Sequence, residues 1–179
     1  ASIAPVVELL TASEEPLDVV IFGTGAQGLG HAATLESVLD GVRELRITFV
    51  SLTEPADFSY DWVESGTDAA KDAVKNAELV ITATTAPAPI LHAADLGERA
   101  IVLAVGAHTA DTRELAADVF EGAQVIVEDP TVAYREAGDV VLATEEGTVA
   151  REDLVTMAQV VRGEVELARD RRVVCKTVG

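Results

Sequence analysis

Three glycines in the first part of the chain follow a spacing that can cradle phosphate groups. Gly23, Gly25 and Gly28 form the pattern Gly-x-Gly-x-x-Gly within the stretch VVIFGTGAQGLGH. In a strand–turn–helix unit, the first glycine permits a tight turn, the second lets the backbone approach a pyrophosphate, and the third lets helix and strand pack closely. The phosphates would face free N–H groups at the positive end of the helix dipole. A glycine turn of an unrelated α/β domain is the alternative interpretation.

The residues around these glycines predict the strand and the helix that such a turn requires. The β-branched run at 19–22 indicates a buried strand, and apolar residues then recur at helical spacing until about Leu39. The segment 53–66 fits a short helix followed by a short strand, and Asp111 with Glu114 suggests a capping box for a helix at 112–120. Further strands are predicted at 45–50, 79–83, 100–105, 125–127 and 173–174, and further helices at 67–76 and 131–137, the last ending at Gly138.

This alternation of strands and helices predicts an α/β fold, a doubly wound parallel sheet with helices on both faces. The length of 179 residues suits one such domain. Because 31 acidic residues outnumber 13 basic ones, giving a net charge of −18, we expect neither nucleic acid nor a membrane as a partner. The single cysteine, Cys175, excludes an internal disulfide and fits a cytoplasmic location, and no metal site is expected.

Four later stretches, in the same order as the glycine turn, carry a family resemblance. They are ITATTAPAPIL, AVGAHTADTREL, EAGDV and the terminal CKTVG. Together with GTGAQGLGH they resemble segments of the ornithine cyclodeaminase/mu-crystallin family of NAD(P)-dependent enzymes. The resemblance implies a Rossmann domain that binds NAD or NADP and supports hydride transfer to or from a small imino or amino acid. The reaction would be that of an imine or ketimine reductase, an amino-acid dehydrogenase or a cyclodeaminase. The alternative is a catalytically silent, crystallin-like or regulatory dinucleotide-binding protein.

The same resemblance implies a division of labour between two domains. Family members carry an N-terminal domain that supplies dimer contacts, a lysine and arginines for the substrate carboxylate. Residues 1–14 are therefore expected to be a connecting helix from such a domain, and residues 15–179 the NAD(P)-binding domain. A homodimer formed through the N-terminal domain is also expected.

Cofactor contacts are expected in four loops and in the C-terminal segment, and the resemblance assigns all of them except those after the second strand, which follow from where a dinucleotide ribose binds in such a fold. The glycine turn would face the pyrophosphate, residues after the second strand would face a ribose, and the remaining positions would lie along the second ribose and the nicotinamide. The expected contact residues are Gly23, Gly25, Ala26, Gln27, Gly28, Ser51, Thr53, Thr84, Val105, Gly106, Thr177 and Gly179.

Two of the matched positions keep a structural alternative. The Thr84 side chain could instead cap its own loop, and Lys176, which matches the segment that closes over the nicotinamide, could be an exposed terminal lysine. The choice between NAD and NADP stays open, although the absence of an arginine after the second strand and the acidic balance favour NAD.

His108 is the candidate catalytic residue. It lies two positions after the glycine of VGAH, where cyclodeaminase members carry an aspartate that acts as acid or base. A histidine can transfer protons near neutral pH, although a loop histidine can equally be a solvated residue. The missing aspartate favours an imine reductase or an amino-acid dehydrogenase over ornithine cyclodeaminase chemistry.

Overall fold

Eight parallel strands form the centre of the computed structural model, which describes residues 2–178. They lie in one sheet in the order β3-β2-β1-β4-β5-β8-β6-β7. The strands are β1 (Leu17–Phe22), β2 (Leu45–Ser51), β3 (Asp61–Glu64), β4 (Leu79–Thr82), β5 (Ile101–Ala104), β6 (Gln124–Val127), β7 (Val155–Thr156) and β8 (Val173–Lys176). Both faces of a parallel sheet must be covered, which explains why its central strands are continuous apolar runs.

Helices follow the strands, and some of them begin at polar caps. Thr67 accepts a hydrogen bond from the Ala70 amide at the start of one helix, and Asp129 accepts two from the Thr131 and Val132 amides at the start of another. These two amides hold the pKa of Asp129 below its usual value. The helices are α1 (Val7–Leu10), α2 (Ala26–Leu39), α3 (Asp68–Asn76), α4 (Pro130–Glu136), α5 (Gly138–Glu145) and α6 (Met157–Val161).

Alternate residues of the strands fill two separate cores, one on each face of the sheet. Val80 and Val102 point to the face covered by α3, α4 and α5. Ile81 and Leu103 point to the face covered by α1, α2 and α6. The prediction of a doubly wound parallel sheet with helices on both faces is confirmed.

All strands run parallel, but the order in which the chain adds them to the sheet reverses after β3, which makes β1 and β4 neighbours. From β1 the chain moves outward to β2 and β3, returns to β4 on the other side of β1, and continues to β5. In open α/β sheets, ligands bind beyond the carboxyl ends of the strands at such a reversal. The loops after β1, β4 and β5 therefore frame the candidate site.

The predicted helix at 112–120 is wrong. Within this segment only Ala117–Val119 forms a short 3₁₀ helix, and Asp111 is exposed. The Glu114 carboxylate accepts hydrogen bonds from the ends of β4 and β5, so it caps no helix. A tertiary contact has overridden a local capping pattern here.

One further prediction from local patterns needs correction, and one helix was not predicted. The segment 53–66 contains strand β3 but no helix, because Phe58 and Tyr60 pack on the Phe49 ring with centroids 4.9 and 5.0 Å away. The helix predicted at 131–137 is present as α4 and ends before Gly138, but Gly138 then begins a further helix, α5, that the pattern did not predict. A Cβ atom at Gly138 would lie 1.9 Å from the Thr112 carbonyl oxygen, so close packing accounts for this glycine.

The N-terminal segment packs on the same domain as the rest of the described chain. Ile3, Val6 and Leu10 are buried in the core that α2 and α6 cover, and the hydroxyl of Ser2 lies 2.8 Å from Nε2 of His31. The derivation of residues 1–14 from a further domain stays a prediction. From residue 2 to residue 178, no helix has both the length and the apolar character that crossing a membrane would need.

Candidate functional site

The glycine turn after β1 has the geometry that its spacing predicts. Gly23 has a φ of +98°, and a Cβ atom there would lie 2.5 Å from the Ala83 carbonyl oxygen. A Cβ atom at Gly28 would lie 2.1 Å from the Gly23 carbonyl oxygen. Both positions thus exclude any side chain, and they let the turn and α2 pack directly on the ends of β1 and β4.

Gly25 differs from its two neighbours in the motif because it faces open space. A Cβ atom at Gly25 would meet no atom within 4 Å, and the residue is exposed with a φ of −80° that other residues adopt readily. The protein itself therefore does not require glycine here. A ligand phosphate that approaches the backbone of the turn closely would require glycine at this position.

The amino end of α2 presents backbone donors at this open position. Gly25 is the N-cap residue, and within the described part of the chain no side chain caps the first turn of the helix. Ala26 and Gln27 are exposed, and the first amides of a helix have no partner within the helix. A 14-residue helix with uncapped amides and an adjacent glycine turn is suited to bind an anion such as a pyrophosphate.

The loop after β2 carries no cation. Ser51 ends β2, donates a hydrogen bond to the Thr53 carbonyl oxygen at 2.7 Å and accepts one from the Trp62 indole at 2.7 Å. Glu64, at the end of β3, pairs with Ser51 in the sheet register. Since neither lysine nor arginine occurs from residue 47 to residue 70, the loop offers no cationic side chain for an additional phosphate group.

A buried carboxylate joins the loops after β4 and β5. Oε1 of Glu114 accepts hydrogen bonds from the Thr84 amide at 2.6 Å and from the Thr84 hydroxyl at 2.7 Å. Oε2 accepts from the Thr82 hydroxyl at 2.9 Å and from the Gly106 amide at 2.7 Å. Glu114 is fully buried. The Thr84 side chain therefore has the loop-capping role that the sequence left open, and it also accepts a hydrogen bond from the Ala86 amide.

Gly106 lies so close to the Thr84 loop that it admits no side chain. A Cβ atom there would be 2.1 Å from the Thr84 carbonyl oxygen and 2.5 Å from Oε1 of Glu114. The Val105 amide donates to the Thr82 carbonyl oxygen, which continues the pairing of the two strands into their loops. The structure thus brings together Gly23, Thr84 and Gly106 along one edge of the sheet.

The C-terminal segment adds a buried ion pair behind this edge. Lys176 lies 3.1 Å from Oδ2 of Asp139, and both side chains are fully buried. The angles fall outside those of a hydrogen bond, so the pair is an ionic contact. The other oxygen of Asp139 accepts from the Glu114 and Leu115 amides at 2.8 and 2.9 Å. The alternative of an exposed lysine at this position is wrong, because β8 lies in the interior of the sheet between β5 and β6.

Thr177 follows directly and is buried, with its amide donating to the Ala104 carbonyl oxygen at 3.1 Å. The sheet thereby places it beside the end of β5. Gly179, the remaining predicted contact, lies outside the described residues. The role of all the predicted contact residues toward a cofactor stays a prediction.

His108 lies on the exposed part of the loop after β5. Its Nδ1 is 2.9 Å from the Gly106 carbonyl oxygen. A carbonyl oxygen can only accept, so Nδ1 carries the proton and Nε2 of the neutral ring is an acceptor. Among residues 2–178, no cluster of three or more histidine, cysteine, aspartate or glutamate side chains is arranged to hold a metal ion.

A cavity of 660 Å³ lies at the opposite edge of the sheet, near the amino ends of β4 and β5. Its lining contains none of the predicted cofactor contacts. Cavity volume alone therefore does not identify the site. The site is identified instead by the glycine turn after β1 and by the contacts between the loops after β4 and β5.

Sequence reasoning missed Glu114, Asp139 and the buried state of Lys176. All three residues lie in matched stretches, namely AVGAHTADTREL, EAGDV and CKTVG, which resemble segments of a family but give no indication of which side chains meet. The signal for Glu114 was a carboxylate directly before the apolar run Leu115–Ala117, a position that solvent would not reach.

Comparisons with known proteins agree with this architecture. A model of the ornithine cyclodeaminase/mu-crystallin family matches residues 6–178. The chain is 32% identical over 168 residues to Delta(1)-pyrroline-2-carboxylate reductase 2 of Burkholderia ambifaria, which covers 92% of this chain and 51% of that protein. The chain thus spans about half the length of the curated relatives that it matches.

Solved structures show the same fold. A Thermococcus litoralis Delta(1)-pyrroline-2-carboxylate reductase in complex with NADH and L-proline superposes with a TM-score of 0.77 at 20% identity, covering 99% of this chain and 59% of that one. A probable ornithine cyclodeaminase from Bordetella pertussis Tohama I gives the same TM-score at 27% identity, with the same coverage.

Proposed function

The chain belongs to the ornithine cyclodeaminase/mu-crystallin family, and on that premise we propose that it is the dinucleotide-binding part of an oxidoreductase that transfers hydride between NAD(H) and a small imino or amino acid. Reduction of a cyclic imino acid is the direction that we favour. Support comes from the relative that is named a pyrroline-2-carboxylate reductase and from the structural neighbour that holds NADH and L-proline.

The observation that carries this proposal is the contrast within the glycine motif. Gly23 and Gly28 are glycines because the protein leaves no room for a side chain, whereas Gly25 has open space in front of it. Open space beside uncapped helix amides matches the needs of an approaching pyrophosphate. An unrelated βα turn would need glycine at positions 23 and 28 for packing, but it would have no reason to keep glycine at position 25.

We propose NADH rather than NADPH as the cofactor. The loop after β2 lies where the adenosine ribose of a dinucleotide binds in this fold, and an arginine there would accept the additional phosphate of NADPH. Residues 47–70 contain no cation, and Glu54 and Glu64 are exposed in this region. A phosphate dianion would meet negative charges without a compensating partner.

Substrate binding and assembly belong to the same proposal. His108 would act as the acid or base on the substrate side of the nicotinamide, with Nε2 as the atom that takes up and releases the transferred proton. A further domain would supply the substrate carboxylate contacts and the homodimer interface. The free, buried Cys175, whose pKa burial raises to about 12, suits a cytoplasmic location.

Titration of the purified chain with NADH and with NADPH tests the cofactor assignment. Trp62 is the only tryptophan in the sequence and its indole bonds to Ser51, so energy transfer from Trp62 to the dihydronicotinamide reports binding. We expect saturable binding of NADH and binding of NADPH that is weaker by about tenfold or more. Absence of saturable binding for both would overturn the proposal, and tighter binding of NADPH would overturn the choice of cofactor.

A silent dinucleotide-binding protein is the second candidate. It is favoured by one observation, that His108 is exposed and stands where cyclodeaminase members carry a catalytic aspartate. Assay of the complete protein with NADH and a cyclic imine separates the two, since the enzyme proposal requires NADH oxidation that depends on the imine.

A further inference from the structure

We propose that Glu114 is a positioning residue for the nicotinamide end of the dinucleotide. This inference rests on the proposed function, because it assumes that a dinucleotide lies along the loops after β4 and β5. The carboxylate of Glu114 fixes both loops at once, through Thr82 and Thr84 on one side and Gly106 on the other.

The Glu114 carboxylate acts as the acceptor in four hydrogen bonds. Two of the four donors are backbone amides, which cannot act as acceptors instead. The amides of Thr84 and Gly106 can only donate, and the two threonine hydroxyls donate as well. A carboxylate accepts through both oxygens and therefore satisfies all four. A carboxamide in the same place would direct N–H groups at one pair of donors, and the loop on that side would have to move.

The two loops are in direct contact, so a change at one reaches the other. The Thr84 carbonyl oxygen lies where a side chain of Gly106 would be, 2.1 Å from the Cβ position. Gly106 also accepts the hydrogen bond from His108, the candidate catalytic residue. Glu114 thus sets the spacing of the backbone against which the nicotinamide would lie, and it fixes the anchor point of His108.

A second buried carboxylate, that of Asp139, holds the backbone at Glu114 in place. Asp139 accepts hydrogen bonds from the amides of Glu114 and Leu115, and Lys176 neutralises Asp139 at 3.1 Å. Because all three charged side chains are buried, their positions are fixed by one another rather than by solvent. This chain of contacts connects α5 and β8 to the carboxyl edge of the sheet.

Comparison of NADH with ADP-ribose tests the positioning role in the Glu114→Gln variant. ADP-ribose has the adenosine and pyrophosphate of NADH but lacks the nicotinamide. We expect the variant to bind NADH about tenfold more weakly, the scale of one lost hydrogen bond to a charged group, and to bind ADP-ribose within twofold of the parent. We also expect the emission of bound NADH at saturation to approach that of free NADH, since the nicotinamide is no longer held.

Glu164→Gln is the matched control, because Glu164 is exposed and its carboxylate pairs with Arg162 on the surface. It should leave both affinities unchanged. Thr82→Val is a milder second variant, which removes one of the four donors with little change of shape and keeps the test available if Glu114→Gln does not fold. It should weaken NADH by a smaller factor in the same selective way.

The outcomes separate this role from the proposed function. Equal weakening of NADH and ADP-ribose, or no change in either, would overturn the positioning role while dinucleotide binding stands. A parent chain that binds neither ligand would overturn the proposed function on which the role rests.

Discussion

Removing the buried ammonium of Lys176 should destabilise the fold far more than removing an exposed charge. Lys176→Met keeps most of the side-chain volume but leaves the Asp139 carboxylate buried without its counter-ion. Breaking a fully buried ion pair at one partner costs about 3–5 kcal/mol. For a domain of this size, each kcal/mol lowers the melting temperature by about 2–4 °C, so a fall of about 6–20 °C is expected.

A double-mutant cycle assigns this cost to the pair. Asp139→Asn retains an oxygen for the Glu114 and Leu115 amides, and the double variant with Lys176→Met restores neutrality. The double variant should therefore cost clearly less than the sum of the two single variants. The free energy of unfolding is measured by urea titration followed by circular dichroism.

The exposed pair of Arg162 and Glu164 supplies the control. Arg162→Met and Glu164→Gln should each change the free energy of unfolding by less than about 1 kcal/mol, the range for surface ion pairs. If Lys176→Met costs as little as these variants, or if the cycle is additive, the buried pair does not stabilise this edge and the reasoning is refuted.

Three further predictions follow from the glycine turn and the loop after β5. Gly28→Ala should lower the free energy of unfolding by about 3 kcal/mol, because its Cβ would lie 2.1 Å from a backbone oxygen. Gly30→Ala on the same helix faces open space and should be stabilising. Equal effects of the two variants in thermal melts would contradict this. In a complete enzyme carrying this domain, His108→Ala should lower kcat by about 10²–10⁴-fold and remove one limb of the pH–rate profile, whereas an unchanged profile would make His108 a solvated loop residue. A polypeptide of these 179 residues should bind dinucleotide without steady-state turnover of a cyclic imine. Substrate positioning supplies about 7–11 kcal/mol of barrier lowering, and the family resemblance places the contacts to the substrate carboxylate in another domain. Robust NADH oxidation by this polypeptide would contradict the prediction.

The parts of this fold that local sequence determines were predictable. The apolar runs of β1, β2, β4 and β5 and the glycine turn after β1 are visible in the sequence, because a buried parallel strand needs uninterrupted apolar residues and the turn needs its glycines. The short strand β7 and helix α6 were not predicted, since each has at most five residues and no distinct periodicity.

The parts that depend on distant contacts were not predictable from one sequence. Glu114 meets Thr82 and Thr84 some 30 residues away, and Lys176 meets Asp139 only because β8 inserts between β5 and β6. A capping pattern around Glu114 was consistent with its neighbours in sequence, but four donors from two loops determined its actual position. Such contacts follow from strand order, and the strand order was not encoded in any single segment.

Isothermal titration of NADH into the Gly25→Val variant tests most directly whether the open turn at Gly25 receives a dinucleotide pyrophosphate. The backbone of Gly25 accommodates valine and no protein atom lies within 4 Å of the new Cβ, so the fold should persist. Gly30→Val, in equally open space on α2, is the matched control. We predict that Gly25→Val weakens NADH binding by about a hundredfold or more, through lost amide–phosphate hydrogen bonds, while Gly30→Val binds like the parent. Binding of NADH to Gly25→Val as tight as to the parent would contradict the account.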